Sequence, residues 1–393
     1  MAKKTLRNIQ VAGKRVLVRV DFNVPLQDGQ VADDTRIRAA LPTIRFLRES
    51  GAKIILVSHL GRPKGKIVPE LRLNPVAERL SELLETRVNK LDVSIGPEAQ
   101  TAAASLNNGE VLLLENIRFY PGEEKNCPQL AHDLAQLAEV YINDAFGTAH
   151  RAHSSTVGVA AFLPAVAGLL LEQELKMLGD ALNKPKRPFV AVLGGAKISD
   201  KIIVLENLTT TVDILIIGGG MAFTFLAAQG IEVGRSLLEK NKITVAARIM
   251  DLAQEHNVQL LLPQDVVVAS EPANEVPAEV VAVDAIPTDQ MGLDIGPRTA
   301  QQYARAISQA KTVFFNGPMG AFEYTPFAAG TKTVAQALAD SAAISIVGGG
   351  DSAAAIAKFG LGAKITHIST GGGAALKFLE GKELPGLAAL EDE

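Results

Sequence analysis

The sequence contains a single cysteine, Cys127, among its 393 residues. One thiol excludes a framework of intramolecular disulfides, and sparse cysteine is typical of proteins in a reducing compartment. No apolar run approaches the roughly 20 residues that a membrane-spanning helix requires. The first stretch, MAKKTLRNIQVAGKRVLV, also lacks the apolar core of a signal peptide. We therefore expect a cytoplasmic protein that does not enter a membrane.

An excess of charge of either sign is also missing. Lys and Arg number 39 against 43 Asp and Glu, which leaves a net charge of −4 at pH 7 and no basic tail. This balance argues against nucleic acid as a partner and favours small molecules. Apolar residues make up 47% of the chain and charged residues 21%, as in an ordinary globular protein. Because 393 residues exceed what one hydrophobic core usually supports, we expect two domains.

Two common nucleotide-binding fingerprints are absent as well, since neither GxxxxGKS/T nor GxGxxG occurs. The sequence instead shows short apolar runs that alternate with helical patterns in both halves. This alternation predicts an α/β fold with two doubly wound parallel-sheet domains. The predicted strands are Arg15–Asp21, Lys53–Ser58, Val111–Glu115, Val140–Asn143, Phe189–Leu193, Ile214–Ile217, Gln259–Leu262, Thr312–Phe315, Ile344–Val347 and a short run near His367.

An amphipathic segment, Leu170–Leu182, separates the two halves and is followed by the polar, proline-broken stretch NKPKRP. A helix with such an exit is a natural boundary between domains. We therefore expect an N-terminal domain over residues 1–170, an interdomain helix acting as a hinge over 171–185, and a C-terminal domain over 186–376.

Arginine is concentrated in the first half, with 14 of the 18 arginines before residue 188. In an open parallel sheet, ligands bind beyond the carboxyl ends of the strands. The residues that follow the first-half strands are therefore candidates for one anion-binding pocket, because guanidinium groups bind phosphate and carboxylate bidentately. Taken singly, each could be an ordinary surface charge. The candidates are Asp21, Asn23, Arg36, His59, Arg62, Arg118, Asp144, His150, Arg151 and His153.

Glycine has the opposite distribution, since every Gly-Gly pair lies in the second half. Glycines at strand ends permit close backbone approach to a bulky ligand, and lysines supply charges for phosphates. Asp351 follows a strand and a triple glycine, where it could hold the magnesium ion of a nucleotide or simply cap a helix. We expect a nucleotide triphosphate site built from Gly195, Lys197, Lys201, Gly219, Asn316, Glu323, Gly349, Gly350, Asp351 and Ser352.

An anion site on one domain and a nucleotide site on the other favour phosphoryl transfer, with the domains closing on a hinge to exclude water. The alternative is a two-domain protein that closes on an anionic ligand without chemistry. That alternative does not account for the lysines, Asp351 and the triple glycines. A nucleotide-dependent dehydrogenase is disfavoured because the dinucleotide fingerprint is absent.

Eight motifs, in order along the whole chain, resemble the signature sequences of the phosphoglycerate kinase family. They are VLVRVDFNVP (16–25), SHLGRP (58–63), ENIRF (115–119), NDAFGTAHRAHSS (143–155), GGAKISDK (194–201), NGPMGAFE (316–323), GGGDS (348–352) and STGGGA (369–374). The resemblance implies reversible transfer of the acyl phosphate of 1,3-bisphosphoglycerate to ADP, giving 3-phosphoglycerate and ATP with Mg²⁺. It also implies that residues 377–393 return to the first domain, and we expect a monomer.

The resemblance further implies roles for single residues. Arg36 would contact the carboxyl and the moving phosphoryl group, and Lys197 would follow that group. Asp351 would bind the metal and Glu323 the ribose, while Gly350 and Gly373 would supply backbone donors near the transferred phosphate. The residues implied to bind the triose acid and its phosphate, besides Arg36, are Asp21, Asn23, His59, Arg62, Arg118 and Arg151.

A general base is neither required by this reaction nor evident in the sequence. In the direction of ATP consumption the attacking group is a carboxylate, which is ionised near neutrality because carboxyl pKa values lie around 4. The residues then have to position the substrates and neutralise charge on the migrating phosphoryl group.

Overall fold

The structure is a computed structural model that describes residues 3–393. The chain forms two compact units, each with its own sheet and core. The first unit consists of the described part of Met1–Lys176 together with Glu383–Glu393, and the second is Met177–Lys382. Residues 1 and 2, with which the predicted N-terminal domain begins, lie outside the described residues.

In the first unit, eight strands alternate with helices, and apolar β-branched runs form the buried strands. The strands are β1 (Arg15–Arg19), β2 (Leu26–Gln27), β3 (Gln30–Val31), β4 (Lys53–Val57), β5 (Val88–Lys90), β6 (Val111–Leu113), β7 (Val140–Asn143) and β8 (Ala165–Ala167). The helices are α1 (Thr35–Glu49), α2 (Asn74–Leu84), α3 (Pro97–Ser105), α4 (Pro128–Ala135), α5 (Leu169–Asn183), which runs on into the second unit, and α13 (Pro385–Ala388), which lies in the returning C-terminal segment.

Six of these strands form one sheet in the order β5-β6-β4-β1-β7-β8, and every neighbouring pair is parallel. Strand β1 pairs with β4 on one side and β7 on the other, so that Arg19 lies opposite both Val57 and Asn143. Strands β4, β5 and β6, which follow β1, lie on one side of it, and β7 and β8 lie on the other. The direction of winding therefore reverses between β1 and β7, and this switch point is where open parallel sheets bind ligands. The carboxyl ends of these strands therefore meet at one edge.

The second unit repeats this architecture and adds three antiparallel strands. Its strands are β9 (Phe189–Leu193), β10 (Ile214–Ile217), β11 (Gln259–Leu261), β12 (Asp265–Ala269), β13 (Glu279–Ala282), β14 (Met291–Ile295), β15 (Thr312–Asn316), β16 (Ile344–Val347) and β17 (His367–Ile368). Its helices are α6 (Ile202–Leu208), α7 (Ala222–Ala228), α8 (Ile243–Glu255), α9 (Pro297–Ser308), α10 (Ala329–Asp340), α11 (Gly350–Lys358) and α12 (Gly373–Leu379).

The main sheet of the second unit has the order β11-β10-β9-β15-β16-β17, again all parallel. Here the switch point lies at β9, which pairs with β10 and with β15. A separate sheet, β13-β12-β14, is antiparallel. The prediction of two α/β domains with doubly wound parallel sheets is confirmed.

The strand predictions found every strand of the main sheet of the second unit and four of the six in the first, and they missed several short or half-exposed strands together with the fully buried strand β12. Every predicted strand is present, with ends that differ by at most two residues. The missed strands are the hairpin β2-β3, β5, β8 and the antiparallel sheet β12, β13 and β14. In β13 three of four residues are exposed, so this edge strand carries little hydrophobic signal.

Two boundaries differ from the sequence-based expectation. The first unit ends at Lys176, inside α5, whereas the predicted domain ends at residue 170. The chain returns to the first unit at Glu383, later than the expected residue 377. The reason is that α12 belongs to the second unit, where the Asn207 side chain donates to the carbonyl of Leu379 at 2.5 Å. Among residues 3–393, no helix combines the length and the apolar character needed to cross a bilayer.

Candidate functional site

Arg19, the last residue of β1, is the deepest charge at the switch point of the first unit and is fully buried. Its Nε donates to Ser155 Oγ at 2.8 Å, and its Nη2 lies 3.2 Å from Nδ1 of His59. Its Nη1 donates to the carbonyl of Val20. A guanidinium held on three sides is a rigid positive charge behind the strand ends. The sequence analysis did not include Arg19 because it lies within the strand.

Asp21 and Asn23, which follow β1, fix the side chains around them. Asp21 Oδ2 lies 3.4 Å from Arg36 Nη1, and its Oδ1 lies 3.8 Å from Nδ1 of His59. Arg36 also donates to the carbonyl of Asn23 at 2.9 Å. The Asn23 Oδ1 in turn accepts the N–H of Gly61 at 2.8 Å. Asn23 thereby connects the loop after β1 to the loop after β4, beside the side chain of Arg36.

Arg118 completes the cluster from the turn after β6. Its Nη1 donates to the carbonyl of Gly61 at 2.7 Å, and its Nε lies 3.4 Å from Oε1 of Glu124. Its Nη2 is buried and makes no hydrogen bond to any of residues 3–393. Burial lowers the pKa of this guanidinium, with Glu124 acting in the opposite direction. A buried donor without a partner is costly, so Nη2 is available to an anionic ligand.

The two histidines of the cluster are neutral near pH 7. Burial, followed by the charges of Arg19, Arg118, Arg151 and Arg36, holds the pKa of His59 well below its ordinary 6.5. Burial and the charges of Arg19 and its neighbours lower the pKa of His153 to about 4. A proton would place one more positive charge beside several guanidiniums. The positive charge of this site therefore comes from arginine.

The predicted residues of this site differ in how closely the structure joins them. Asp21, Asn23, Arg36, His59 and Arg118 share the contacts given above. Arg151 donates from Nε to His150 Nε2 at 3.1 Å, and its charge acts on both neutral histidines. Arg62 is exposed on the loop after β4. The sequence analysis missed Glu123, a fully buried carboxyl that accepts from Ser155 N at 3.0 Å and from its Oγ at 2.6 Å.

In the second unit, glycines bring the ends of β9, β10 and β15 into contact. Gly219 adopts φ +65°, and a Cβ there would lie 2.6 Å from the nitrogen of Gly195, so only glycine fits. The N–H of Gly219 donates to the carbonyl of Met319 at 3.0 Å, and that of Gly195 to the carbonyl of Pro318 at 3.1 Å. These contacts shape a cavity of about 230 Å³ beside the strand ends.

This cavity has a polar end and an apolar wall. Of the ten residues that the sequence analysis predicted for a nucleotide site, Gly195, Gly219, Glu323 and Asp351 line this cavity. The apolar wall was missed because β12 and β14 were not predicted. Its residues include Leu237, Val266, Met291, Gly292 and Leu293.

Lys201 is buried at the polar side of this region, where its Nζ donates to the carbonyls of Gly194 at 2.6 Å and Asn316 at 2.8 Å. Burial lowers its pKa to about 8, while the charges of Asp351 and Asp200 act in the opposite direction. The ammonium group is therefore mostly charged at pH 7. Lys197, by contrast, is exposed.

Asp351 is not the cap of α11. The N-cap position is Gly349, with φ +91°, and no side chain caps the helix. Asp351 is the second helical residue, exposed to solvent and facing the cavity. Ser352 is buried and accepts the N–H of Gly317 at 2.6 Å, and Asn316 Nδ2 donates to the carbonyl of Gly348 at 2.7 Å. An uncapped helix N-terminus beside a cavity is suited to phosphate.

Gly350 and Gly373 are the first residues of α11 and α12. These helices follow β16 and β17, which are parallel neighbours. The structure thus places both glycines beyond the carboxyl edge of the same sheet, as expected from the sequence.

A cluster of buried arginines at one sheet edge and a cavity beside a helix N-terminus at another are typical of enzymes that act on a small anionic substrate and a nucleotide. The sequence model of the family described as Phosphoglycerate kinase matches residues 6–382. Over 393 residues, 100% of both chains, the sequence is 59% identical to a phosphoglycerate kinase of Moorella thermoacetica.

Solved structures agree with this result. A phosphoglycerate kinase from Coxiella burnetii is 44% identical with a TM-score of 0.90, and one from Pyrococcus horikoshii is 36% identical with a TM-score of 0.86. Each match covers 98% of both chains. The chain belongs to the phosphoglycerate kinase family. It is an enzyme that transfers a phosphoryl group between 1,3-bisphosphoglycerate and ADP, and the alternative of a binding protein without catalysis is not supported.

Proposed function

We propose that the arginine cluster of the first unit binds the triose acid and that the cavity of the second unit binds the nucleotide. The observation that carries the first assignment is the buried Nη2 of Arg118, which has no partner among residues 3–393. A phosphate or carboxylate oxygen would satisfy this donor. Arg36, held by Asp21 and the carbonyl of Asn23, is oriented for the same ligand.

The nucleotide assignment is supported by the different character of the second cavity. Its apolar wall suits a base, and its polar end offers Asp351, Glu323 and the N-terminus of α11. Lys201 lies beside Gly195 and Gly317, with its Nζ on the backbone of two strand ends. Phosphates beside these groups would meet an ammonium and backbone donors.

The residues present fit a magnesium ion that arrives with the nucleotide. Among residues 3–393, no three His, Cys, Asp or Glu side chains group into a metal site. Magnesium is commonly held by one or two carboxylates together with substrate phosphates, and Asp351 is an exposed carboxylate on the cavity wall. When bound, the ion would neutralise phosphate charge. Asp351 is the residue that would hold it.

The reaction in this assignment needs no proton transfer from the protein. In the direction of ATP consumption, the carboxylate of 3-phosphoglycerate attacks the terminal phosphorus of ATP, so that an acyl phosphate bond forms, the bond to the bridging oxygen breaks and ADP leaves. Arg36, Lys197 and the backbone N–H groups of Gly350 and Gly373 neutralise charge on the group in transit. Because each unit supplies part of this set, we infer that the units close on a hinge around α5 and Ser369–Gly373 when both substrates are bound.

We further infer that the enzyme works as a monomer in the cytoplasm, in glycolysis or carbon fixation. One chain carries every residue in the assignment, so catalysis needs no second copy. The single cysteine suits a reducing compartment, and a net charge of −4 gives no attraction to nucleic acid.

A coupled assay tests this function. The purified protein should form ATP from ADP and 1,3-bisphosphoglycerate, and omission of magnesium should abolish most of that activity. Binding of both ligands without ATP formation would instead support a protein that closes on anions without chemistry.

A further inference from the structure

Asn116 is a fully buried residue between β6 and the turn that carries Arg118. Its Oδ1 accepts the N–H of Leu60 at 3.2 Å and the N–H of Arg118 at 3.1 Å. Its Nδ2 donates to the carbonyls of Leu60 at 2.7 Å and Leu71 at 2.9 Å. The amide therefore uses both acceptor positions and both donors. It binds the backbone of Leu60 in both directions.

Leu60 lies between His59 and Arg62, on the loop that follows β4. The side chain of Asn116 thus connects that loop directly to the backbone nitrogen of Arg118, which lies 58 positions after Leu60 in the chain. Arg118 also reaches the same loop through its contact with the carbonyl of Gly61 at 2.7 Å. The spacing between His59 and Arg118 consequently depends on this amide.

Glu115 fixes the position of Asn116. One oxygen of its buried carboxylate accepts the N–H of Asn116 at 2.8 Å and the N–H of Leu73 at 3.0 Å. The other oxygen accepts from Lys90 at 2.5 Å and Arg72 at 2.9 Å. A carboxylate with four donors is held rigidly. The backbone of Asn116 is thereby fixed before any ligand binds, and its side-chain amide extends from a fixed position.

We propose that Asn116 is a positioning residue for the triose-acid site: its side-chain amide sets the distance between the loop bearing His59 and Arg62 and the turn bearing Arg118. It touches no substrate and acts through these three residues. The proposal rests on the function assigned to the arginine cluster.

The chemistry requires an amide rather than another polar group. A carboxylate at this position would still accept the two N–H groups, but its second oxygen would face the carbonyls of Leu60 and Leu71 without a proton to donate. The two segments would remain joined by the N–H of Ile117 donating to the carbonyl of Ser58 at 3.0 Å. We therefore expect Asn116→Asp to fold with the loop displaced.

Steady-state kinetics of Asn116→Asp test the proposal. The KM for 3-phosphoglycerate should rise about tenfold or more, since small displacements of binding groups cost that much, whereas the KM for ATP should stay within about twofold. The control is Asn207→Asp, which removes one amide donor to the carbonyl of Leu379 in the second unit. It should leave the KM for 3-phosphoglycerate unchanged.

Arg118→Ala separates the proposal from the function on which it rests. If Arg118→Ala weakens 3-phosphoglycerate binding and Asn116→Asp does not, Asn116 has no positioning role. If Arg118→Ala has no effect, the assignment of the arginine cluster is wrong. A lowered melting temperature of Asn116→Asp with both KM values unchanged would mean that the amide only stabilises the fold.

A measurement on the wild-type enzyme avoids any folding defect. The side-chain amide protons of Asn116 should exchange slowly with solvent in the enzyme without ligand, because both donate to backbone carbonyls there. Rapid exchange in the ligand-free enzyme would overturn the proposal.

Discussion

Single side chains in the arginine cluster have their charge set by their neighbours. His59 is neutral because it is buried beside Arg19, and Asp21 lies between His59 and Arg36. Arg62 is exposed on the adjoining loop. Arg36, in the first turn of α1, and Arg62, on the loop after β4, therefore have different surroundings.

This difference predicts different kinetic effects for the two arginines. Arg36 should act on charge that develops during transfer, so Arg36→Ala should lower kcat by roughly a hundredfold or more. Arg62 should contribute to uniform binding, so Arg62→Ala should raise the KM for 3-phosphoglycerate with a smaller loss of kcat. Steady-state kinetics with each substrate varied in turn will measure kcat and the KM for 3-phosphoglycerate in both variants. The opposite pattern would reverse the two roles.

Candidate residues could be predicted where they directly follow a strand. The strand-end rule found Asp21, Asn23 and His59 because their positions in the sequence reveal the edge of the sheet. It missed Arg19, although a charge inside an apolar run was a visible signal. Asn116 lies in the ENIRF motif, but its contacts could not be predicted, since they depend on Leu60 and Leu71, which the fold alone brings near.

Helix α5 is an element whose N-terminus is capped from other parts of the chain. Asp144, after β7, accepts the N–H of Leu170 at 2.9 Å and that of Leu171 at 3.3 Å through Oδ1. Thr43 Oγ1 accepts the N–H of Leu169 at 2.9 Å. The second oxygen of Asp144 makes no hydrogen bond to residues 3–393. Burial raises the pKa of Asp144 to about 7.

Asp144 should therefore make stability depend on pH. The carboxyl of Asp144 loses its proton near pH 3.8 in the unfolded chain and near pH 7 in the folded one, so the folded state binds the proton more tightly. Protonation of Asp144 therefore stabilises the folded state, and this contribution is fully present below pH 3.8. The contribution of Asp144 to the free energy of unfolding should decrease as pH rises from about 4 to about 7. Asp144→Asn keeps the Oδ1 acceptor and cannot ionise. The free energy of unfolding of Asp144→Asn minus that of the wild type should increase by roughly 1–3 kcal/mol between pH 5 and pH 8.

Calorimetric melting temperatures at several pH values between 5 and 8 measure this effect. The difference between Asp144→Asn and the wild type should move in favour of the variant as pH increases. A difference that does not change with pH would show that the Asp144 carboxyl does not titrate in this range.

Burial helped the prediction of strands but did not by itself decide it. Strands β9 and β10 are apolar along their length and were found with correct ends, because strands covered on both faces have continuous apolar sequences. The antiparallel strands β13 and β14 have mixed burial patterns and were missed, and so was β12, although it is buried along its whole length. The glycines of the proposed nucleotide site were visible in the sequence, whereas the apolar wall of the cavity was not predicted.

For the whole molecule, the proposed division of substrates between two units predicts when the chain contracts. A ligand shifts an open–closed equilibrium only by as much as it binds the closed form better. Each substrate alone contacts mainly one unit and should close the protein little. Small-angle scattering should show the clearest fall in radius of gyration with 3-phosphoglycerate and a magnesium nucleotide together. Full contraction with nucleotide alone, or none under any condition, would contradict the hinge mechanism.

The measurement that tests the division most directly is calorimetric binding of each substrate to two variants. Arg118→Ala should weaken binding of 3-phosphoglycerate by roughly tenfold or more and leave Mg-ADP binding within about twofold. Asp351→Asn should do the reverse, because it removes the carboxylate that would hold the ion. Weakened binding of both ligands in one variant, or the crossed pattern, would contradict the assignment of the two sites.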